Sequence, residues 1–109
     1  MRINIDDTDI GDDLIYRYRD KPFTGEVVET DQSGRVINLM TMIDGRAHGP
    51  ELSWFPDGQL KTETTLKDGR PVGISRAWHA NGQLADERVF DDRGFIIESR
   101  RWNEDGSPA

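Results

Sequence analysis

The sequence predicts an all-β protein, and three observations lead to that fold class. First, the chain of 109 residues repeats itself with a period of 24 residues. Second, glycines bracket short runs that are rich in β-branched and aromatic side chains, as is typical of strands. Third, glycine recurs too often for a helix, and no apolar stripe follows the helical period. A fixed period of this length indicates stacked units that bury their apolar faces only against each other.

The repeat divides the chain into units with shared marker residues. We place the units at residues 20–43, 44–67 and 68–91, with a partial unit at 92–109. Ahead of them, residues 1–13 form an acidic N-terminal arm, and residues 14–109 form the repeat domain. The markers recur at fixed offsets: Asp20, Asp44, Asp68 and Asp92; Trp54, Trp78 and Trp102; Gly34, Gly58, Gly82 and Gly106; Leu60 and Leu84.

Each unit is predicted to be a β-hairpin with a glycine turn at its tip. Tight Asp-Gly turns at residues 44–45 and 68–69 join one hairpin to the next. Residues 14–18 (LIYRY) match the offset of a closing strand. The prediction is therefore an antiparallel meander of about eight strands built from 24-residue hairpin repeats, in a single twisted sheet or a partly closed one.

The turn chemistry predicts the register of these hairpins. Pro56-Asp57-Gly58 suits a three-residue loop in which the glycine adopts a left-handed conformation, and Trp54 then faces Leu60. This register collects the apolar residues of the second unit on one face and its polar residues on the other: Leu52, Trp54, Leu60, Thr62, Thr64 and Leu66 against Glu51, Ser53, Gln59, Lys61 and Glu63. In the next unit, the same register places Arg76 opposite Asp86.

The marker residues are expected to be structural. The four turn glycines, Gly34, Gly58, Gly82 and Gly106, should have positive φ. The tryptophans Trp54, Trp78 and Trp102 could form a ladder that stacks a ligand, but their position opposite Leu60 and Leu84 favours packing in the core.

Composition excludes several classes of function. Acidic residues outnumber basic ones by 21 to 14, which gives a net charge of −7 and opposes binding to nucleic acid or to an anionic membrane. The chain has no cysteine, so disulfides and thiolate metal sites are excluded. No stretch is long and apolar enough to span a membrane, and the first residues do not read as a signal peptide. We expect a cytoplasmic protein.

No motif predicts catalysis or a cofactor. The two histidines, His48 and His79, lie at turns without a recognisable nucleophile and orienting group, so we expect them to be structural. The aspartates of the arm include Gly11 but lack the spacing of a calcium loop. We predict a protein that is not an enzyme and has no catalytic residue, metal site or cofactor.

The repeat motif resembles a known family. The run KPFTG at residues 21–25 and the segments WFPDGQLKTE (54–63) and WHANGQLADE (78–87) resemble the MORN-variant repeat. Chains built in this way resemble bacterial proteins of the YwqK family of antitoxins. The resemblance implies an antitoxin or immunity protein that neutralises a cognate toxin by direct protein–protein contact, and it supplies no catalytic residue.

The acidic groups are the candidate contacts with such a partner, which we expect to be a basic toxin. They lie on the arm and on the polar face: Asp6, Asp7, Asp9, Asp12, Asp13, Glu51, Glu63 and Glu87. The arm itself is either a solvated terminus or a docking segment. The alternative function is a MORN-type scaffold module whose apolar sheet face holds a partner or forms a homodimer.

Overall fold

The computed structural model describes residues 1–109 and contains eleven strands and one short 3-10 helix. In chain order these are β1 (Arg2–Asn4), the 3-10 helix (Ile5–Asp7), β2 (Asp9–Ile10), β3 (Tyr16–Tyr18), β4 (Lys21–Pro22), β5 (Gly25–Thr30), β6 (Val36–Ile43), β7 (Arg46–Trp54), β8 (Leu60–Lys67), β9 (Arg70–Trp78), β10 (Leu84–Phe90) and β11 (Ile96–Arg101). The structure contains no helix of the length and apolarity needed to cross a membrane.

Eight strands form one open sheet in the order β1-β5-β6-β7-β8-β9-β10-β11, and β2, β3 and β4 form a small second sheet. From β5 to β11, each strand pairs antiparallel with the next one along the chain. The predicted all-β meander of about eight strands is therefore confirmed. The flat shape of the molecule, 48 × 37 × 21 Å, reflects a sheet that is single-layered over most of its area.

The N-terminal segment differs from the prediction in two ways. Residues 14–18 do not close the main sheet, because Tyr16–Tyr18 pairs only within the small sheet. The eighth strand is instead β1, which joins β5 in parallel, with Ile3 beside Val27. The expected arm is thus not separate from the repeat domain. The physical reason is that Ile3 and Ile5 are apolar and become covered only when the segment folds back onto the sheet.

The predicted turns are present at every repeat. The amide of Gly58 donates to the carbonyl of Phe55 at 2.9 Å, and the amide of Phe55 donates to the carbonyl of Gln59 at 2.8 Å. The turn glycines have the expected positive φ: 87° at Gly34, 94° at Gly58, 88° at Gly82 and 87° at Gly106. A fifth turn of this kind, at Gly94, was not predicted and stands where the earlier units have a tight Asp-Gly turn.

The register agrees with the prediction at the turn and departs from it one residue later. Trp54 pairs with Leu60 as expected, but Ser53 pairs with Thr62 because a β-bulge shifts the ladder. The same shift follows the turn in β10, where Leu84 pairs with Trp78 but Asp86 pairs with Ala77. The predicted separation of the faces is therefore wrong, since the bulge places Glu63 beside Leu52.

Two rows of cross-strand neighbours define the faces of the sheet. The row that contains Val27, Met40, Glu51 and Thr64 lies on the face we call the covered face, because the N-terminal segment packs over its first strands. The adjacent row lies on the opposite, open face and comprises Val28, Leu39, Leu52, Glu63, Arg76, Glu87 and Arg100.

The core lies between the covered face and the N-terminal segment, not at the tryptophans. It consists of Ile3, Phe23, Val27 and Met42, with Val27 and Met42 only 1% exposed. Trp54, Trp78, Trp102, Leu60 and Leu84 are half-buried, so their assignment to the core is wrong. No second layer packs over these side chains, and a single sheet cannot enclose a large side chain from both sides.

Candidate functional site

The predicted contact residues are spread along the molecule, and the structure brings two pairs of them together: Asp13 with Glu51, and Glu63 with Glu87. Asp6 and Asp7 lie in the 3-10 helix, Asp9 in β2, Asp12 and Asp13 before β3, Glu51 in β7, Glu63 in β8 and Glu87 in β10. Of these, only Asp13 and Glu51 share a cavity. It lies between the N-terminal segment and the covered face, and we call it the N-terminal groove.

The groove has a volume of about 480 Å³ and mostly apolar walls. One wall is the N-terminal segment, and the floor is formed by β6, β7 and β8. Its lining residues are Ile10, Asp13, Leu14, Tyr16, Met40, Met42, Arg46, Ala47, Glu51, Leu66, Asp68 and Gly69. This size and the mixture of apolar walls with a few polar groups are typical of sites that bind a ligand or a side chain.

Backbone hydrogen bonds hold the N-terminal wall against the turn between β6 and β7. The amide of Tyr16 donates to the carbonyl of Gly45 at 2.9 Å, and the amide of Gly45 donates to the carbonyl of Phe23 at 2.7 Å. Gly45 has φ of 81°, and a Cβ there would lie 2.6 Å from the carbonyl oxygen of Tyr16. Only glycine permits this close approach, so this residue sets the position of the wall.

Asp13 is held by its own segment. Its carboxylate accepts from the Arg17 guanidinium at 2.7 and 3.2 Å and from the amide of Ile15 at 3.1 Å. These hydrogen bonds lower the pKa of Asp13 to about 2, chiefly through Arg17 and then through the Ile15 amide. The charge of Asp13 is therefore largely satisfied within the wall, and this ion pair helps to order the wall.

Leu14 follows Asp13 and is unusual for an apolar residue. It has φ of 61°, in the left-handed region that non-glycine residues rarely adopt, and it is 73% exposed. Ile10, on the same wall, is 52% exposed. The wall therefore presents two large apolar side chains to solvent at the groove, where a bound group would cover them.

Glu51 is an unpaired carboxylate of the groove. It lies on β7 between Met40 and Thr64 on the neighbouring strands, and it makes no ion pair and no side-chain hydrogen bond. Partial burial raises the pKa of Glu51, since the charged carboxylate loses water there without gaining a partner. Arg46 also lines the groove but forms no ion pair, and Asp68 lies 3.8 Å from Nδ1 of His48.

Glu63 and Glu87 occupy a different environment on the open face. Arg76 lies between them, with its Nη1 3.6 Å from Oε1 of Glu63 and its Nε 3.0 Å from Oε2 of Glu87. The bulge is responsible, because it pairs Arg76 with Glu87 and not with Asp86 as expected. Asp86 instead contacts Arg88 and Arg101 on the covered face. Glu63 and Glu87 thus each form an ion pair with Arg76 and are not free carboxylates.

The sequence reasoning missed the apolar part of the groove. Ile10, Leu14, Met40 and Leu66 were not connected with a site. The available signal was the series of isoleucines among the aspartates of residues 1–15, at positions 3, 5, 10 and 15. Large apolar residues in an acidic segment indicate that the segment packs against another part of the protein, and here it packs against the sheet.

The comparisons with known proteins yield structural neighbours only. No protein-family model matches the chain, and no curated protein matches it. Among solved structures, TarM and a mutant of S. aureus TarM crystallised with fondaparinux, alpha-GlcNAc-glycerol and UDP are similar, each with 14% identity and a TM-score of 0.45. Each match covers 96% of this chain and 19% of the TarM chain, so this chain spans about a fifth of the length of these neighbours.

Proposed function

We propose that this protein is a non-enzymatic binding protein, an antitoxin or immunity protein that neutralises a basic bacterial toxin by direct contact. The resemblance of its repeats to MORN-variant antitoxins and its net charge of −7 both support the proposal. Its action in the cytoplasm is part of the same proposal.

The observation that carries the proposal is that the acidic N-terminal segment, residues 1–13, has a defined backbone conformation. Residues 1–13 contain one arginine and five aspartates, a side-chain charge of −4 out of the total of −7. The side chain of Asn4 caps the 3-10 helix by accepting from the amide of Asp6 at 2.9 Å, and β2 pairs with β3. Exposed carboxylates are therefore displayed on a fixed backbone.

A fixed acidic surface has two physical advantages for an inhibitor. Its field steers a basic partner into encounter, which raises the association rate at low salt. Its backbone is already ordered, so binding loses less conformational entropy than the folding of a flexible tail would. Both effects predict fast and salt-dependent association.

The test is a titration of the purified protein against the product of the neighbouring gene, with toxin activity and association rate as readouts. The variant Asp6→Asn/Asp7→Asn/Asp9→Asn removes three charges from the acidic segment. The matched control Asp92→Asn/Glu98→Gln/Glu104→Gln removes three charges from the opposite end of the sheet. We expect association at low salt to slow at least about tenfold for the first variant only, with the difference shrinking at high salt.

The outcomes separate the alternatives. Equal slowing of both triple variants would show that only net charge matters and that the acidic segment is not the contact. Absence of binding by the wild-type protein would reject the antitoxin proposal.

A scaffold or self-association module is the second candidate, and one feature favours it. The edge strand β11 and the preceding turn expose Phe95, Ile96 and Ile97, which are 64%, 53% and 65% accessible. Exposed apolar residues at an unpaired edge are typical of surfaces that associate. Sedimentation velocity over a range of concentrations tests this candidate. A dimer that Ile97→Lys dissolves would support it, and a monomer at all concentrations would reject it.

A further inference from the structure

We infer that the N-terminal groove binds an arginine side chain of a protein partner, with Glu51 as the carboxylate that receives the guanidinium. The inference rests on the proposed function for the source of the arginine. The chemistry of the groove follows from its own residues.

The first step concerns charge. Glu51 is partly buried beside Met40 and has no ionic or hydrogen-bonding partner. The charged form of a carboxylate in such a place is destabilised as long as it has no cationic partner. A cation therefore gains more binding free energy there than at a solvated carboxylate. Asp13 does not compete for the ligand, because Arg17 already holds it.

The second step concerns shape. An arginine has a long aliphatic stem beneath a planar head, and it prefers an apolar channel that ends in a carboxylate. Met40 and Leu66 provide apolar floor beside Glu51, and Tyr16 provides an aromatic ring on which a guanidinium can stack. A lysine ammonium would gain less, since it can neither stack nor form two parallel hydrogen bonds with one carboxylate.

The third step concerns the mouth of the groove. Ile10 and Leu14 are exposed large apolar residues on the wall opposite the sheet, and Leu14 is held outward by a left-handed backbone. Residues that flank the arginine in the partner would cover them. An arginine between two apolar residues is therefore the chemistry that the groove fits.

Methionine methyl NMR provides a direct test, because the chain has three methionines. Met40 and Met42 line the groove, whereas Met1 does not and is 74% exposed, so its signal serves as an internal control. The probe is the capped peptide Leu-Arg-Leu, compared with Leu-citrulline-Leu, in which the head has the same shape but no charge, and with Leu-Lys-Leu. The protein variants are Glu51→Gln and, as a matched control at the far end of the sheet, Glu104→Gln, whose side chain forms no hydrogen bond and no ion pair.

We expect the arginine peptide to shift the Met40 methyl signal in a saturable manner and to leave Met1 unchanged. Binding should weaken at least about tenfold in Glu51→Gln and with citrulline, and it should be unchanged in Glu104→Gln. The lysine peptide should bind more weakly than the arginine peptide. Equal shifts with arginine and citrulline, equal binding of the lysine peptide, or full binding by Glu51→Gln would each overturn the inference.

The failure of this inference is distinguishable from the failure of the proposed function. Peptide binding without neutralisation of a toxin would retain the arginine site and reject the antitoxin proposal. If the protein neutralises a toxin but its methionine signals do not change with the arginine peptide, the antitoxin proposal is retained and the arginine site is rejected.

Discussion

The two halves of this sheet are stabilised in different ways. All seven buried residues lie between Ile3 and Gly45. Four of them form the core beneath the N-terminal segment, whereas Val28 and Leu39 lie on the open face of β5 and β6. From Arg46 to the end of the chain no residue is buried, although β7 to β11 are as regularly paired as β5 and β6.

The second half depends on contacts within one layer. Its strands are connected by backbone ladders, by glycine turns and by cross-strand pairs such as Glu63–Arg76–Glu87 and Thr64–Ser75. Each such pair contributes on the order of 0.2–1 kcal/mol, which is small beside a fully buried side chain. The comparison teaches that the repeats supply the architecture of this protein, whereas a buried core forms only where the N-terminal segment covers the first repeat unit.

The largest expected effect is the truncation of a core ring. Phe23→Ala should lower the free energy of unfolding by about 3–5 kcal/mol, because the ring is 5% exposed and its removal leaves a cavity. Phe90→Ala is the matched change in the second half, where the ring is half-buried, and it should cost about half as much or less. Urea denaturation of both variants makes the measurement. Equal costs would mean that the halves are stabilised alike.

The next effect compares two glycines with similar backbone conformations. Gly45 has φ of 81° and is packed against Tyr16, so Gly45→Ala combines left-handed strain with a clash and should cost about 2–5 kcal/mol. Gly58 has φ of 94° with open space around it, so Gly58→Ala should cost only the strain, about 1–2 kcal/mol. Thermal melts would measure both. A larger loss at Gly58 would contradict the importance of the close approach at Gly45.

A smaller effect concerns Glu51. Since burial raises its folded pKa, the carboxyl is more protonated in the folded state, and its ionisation destabilises the fold as the pH rises through the region above 4.5. Glu51→Gln should therefore raise the melting temperature at pH 7 and flatten its decline above pH 4.5. A variant less stable than the wild type at pH 7 would show that Glu51 has a partner in the free protein.

The smallest effect, of opposite sign, concerns Asp13 on the facing wall. Its folded pKa of about 2 lies below the usual value of 3.8, so it contributes stability above that usual value, and this contribution is lost as the pH falls towards 2. Arg17→Gln should therefore lower stability slightly at pH 7 and hardly change it near pH 2, so that the decline in stability between pH 4 and pH 2 becomes shallower. An unchanged acid transition would assign that sensitivity to other carboxyl groups.

The fold could be predicted from the sequence because it is local. The period, the Asp-Gly turns and Gly58 and its equivalents encode hairpins whose partners are adjacent in the chain. The bulge could not be predicted, since one extra residue after the turn changes no propensity but moves Glu63 to the other face. The same shift gave Glu87 an arginine partner.

The groove could be predicted only in part. Asp13 and Glu51 were chosen for their charge, but nothing in their spacing shows that they meet across a cavity. Their meeting depends on the parallel pairing of β1 with β5 and on the packing of Tyr16 against Gly45, which are long-range contacts. Long-range pairing is the part of a structure that local patterns specify least.

The links between successive turns have a consequence for how such a protein can change in length. The Arg35 guanidinium donates to the carbonyl of Pro56 at 2.6 Å, and the Asn81 amide donates to the carbonyl of Glu104 at 2.8 Å, so the first turn is bonded to the second and the third to the fourth. Each hairpin meets only its neighbours, and the N-terminal segment covers only the first of them. Duplication of residues 68–91 would thus insert two strands, about 10 Å of sheet, far from the core and the groove. The sheet can therefore be extended one repeat unit at a time without any change in the one buried region of the molecule.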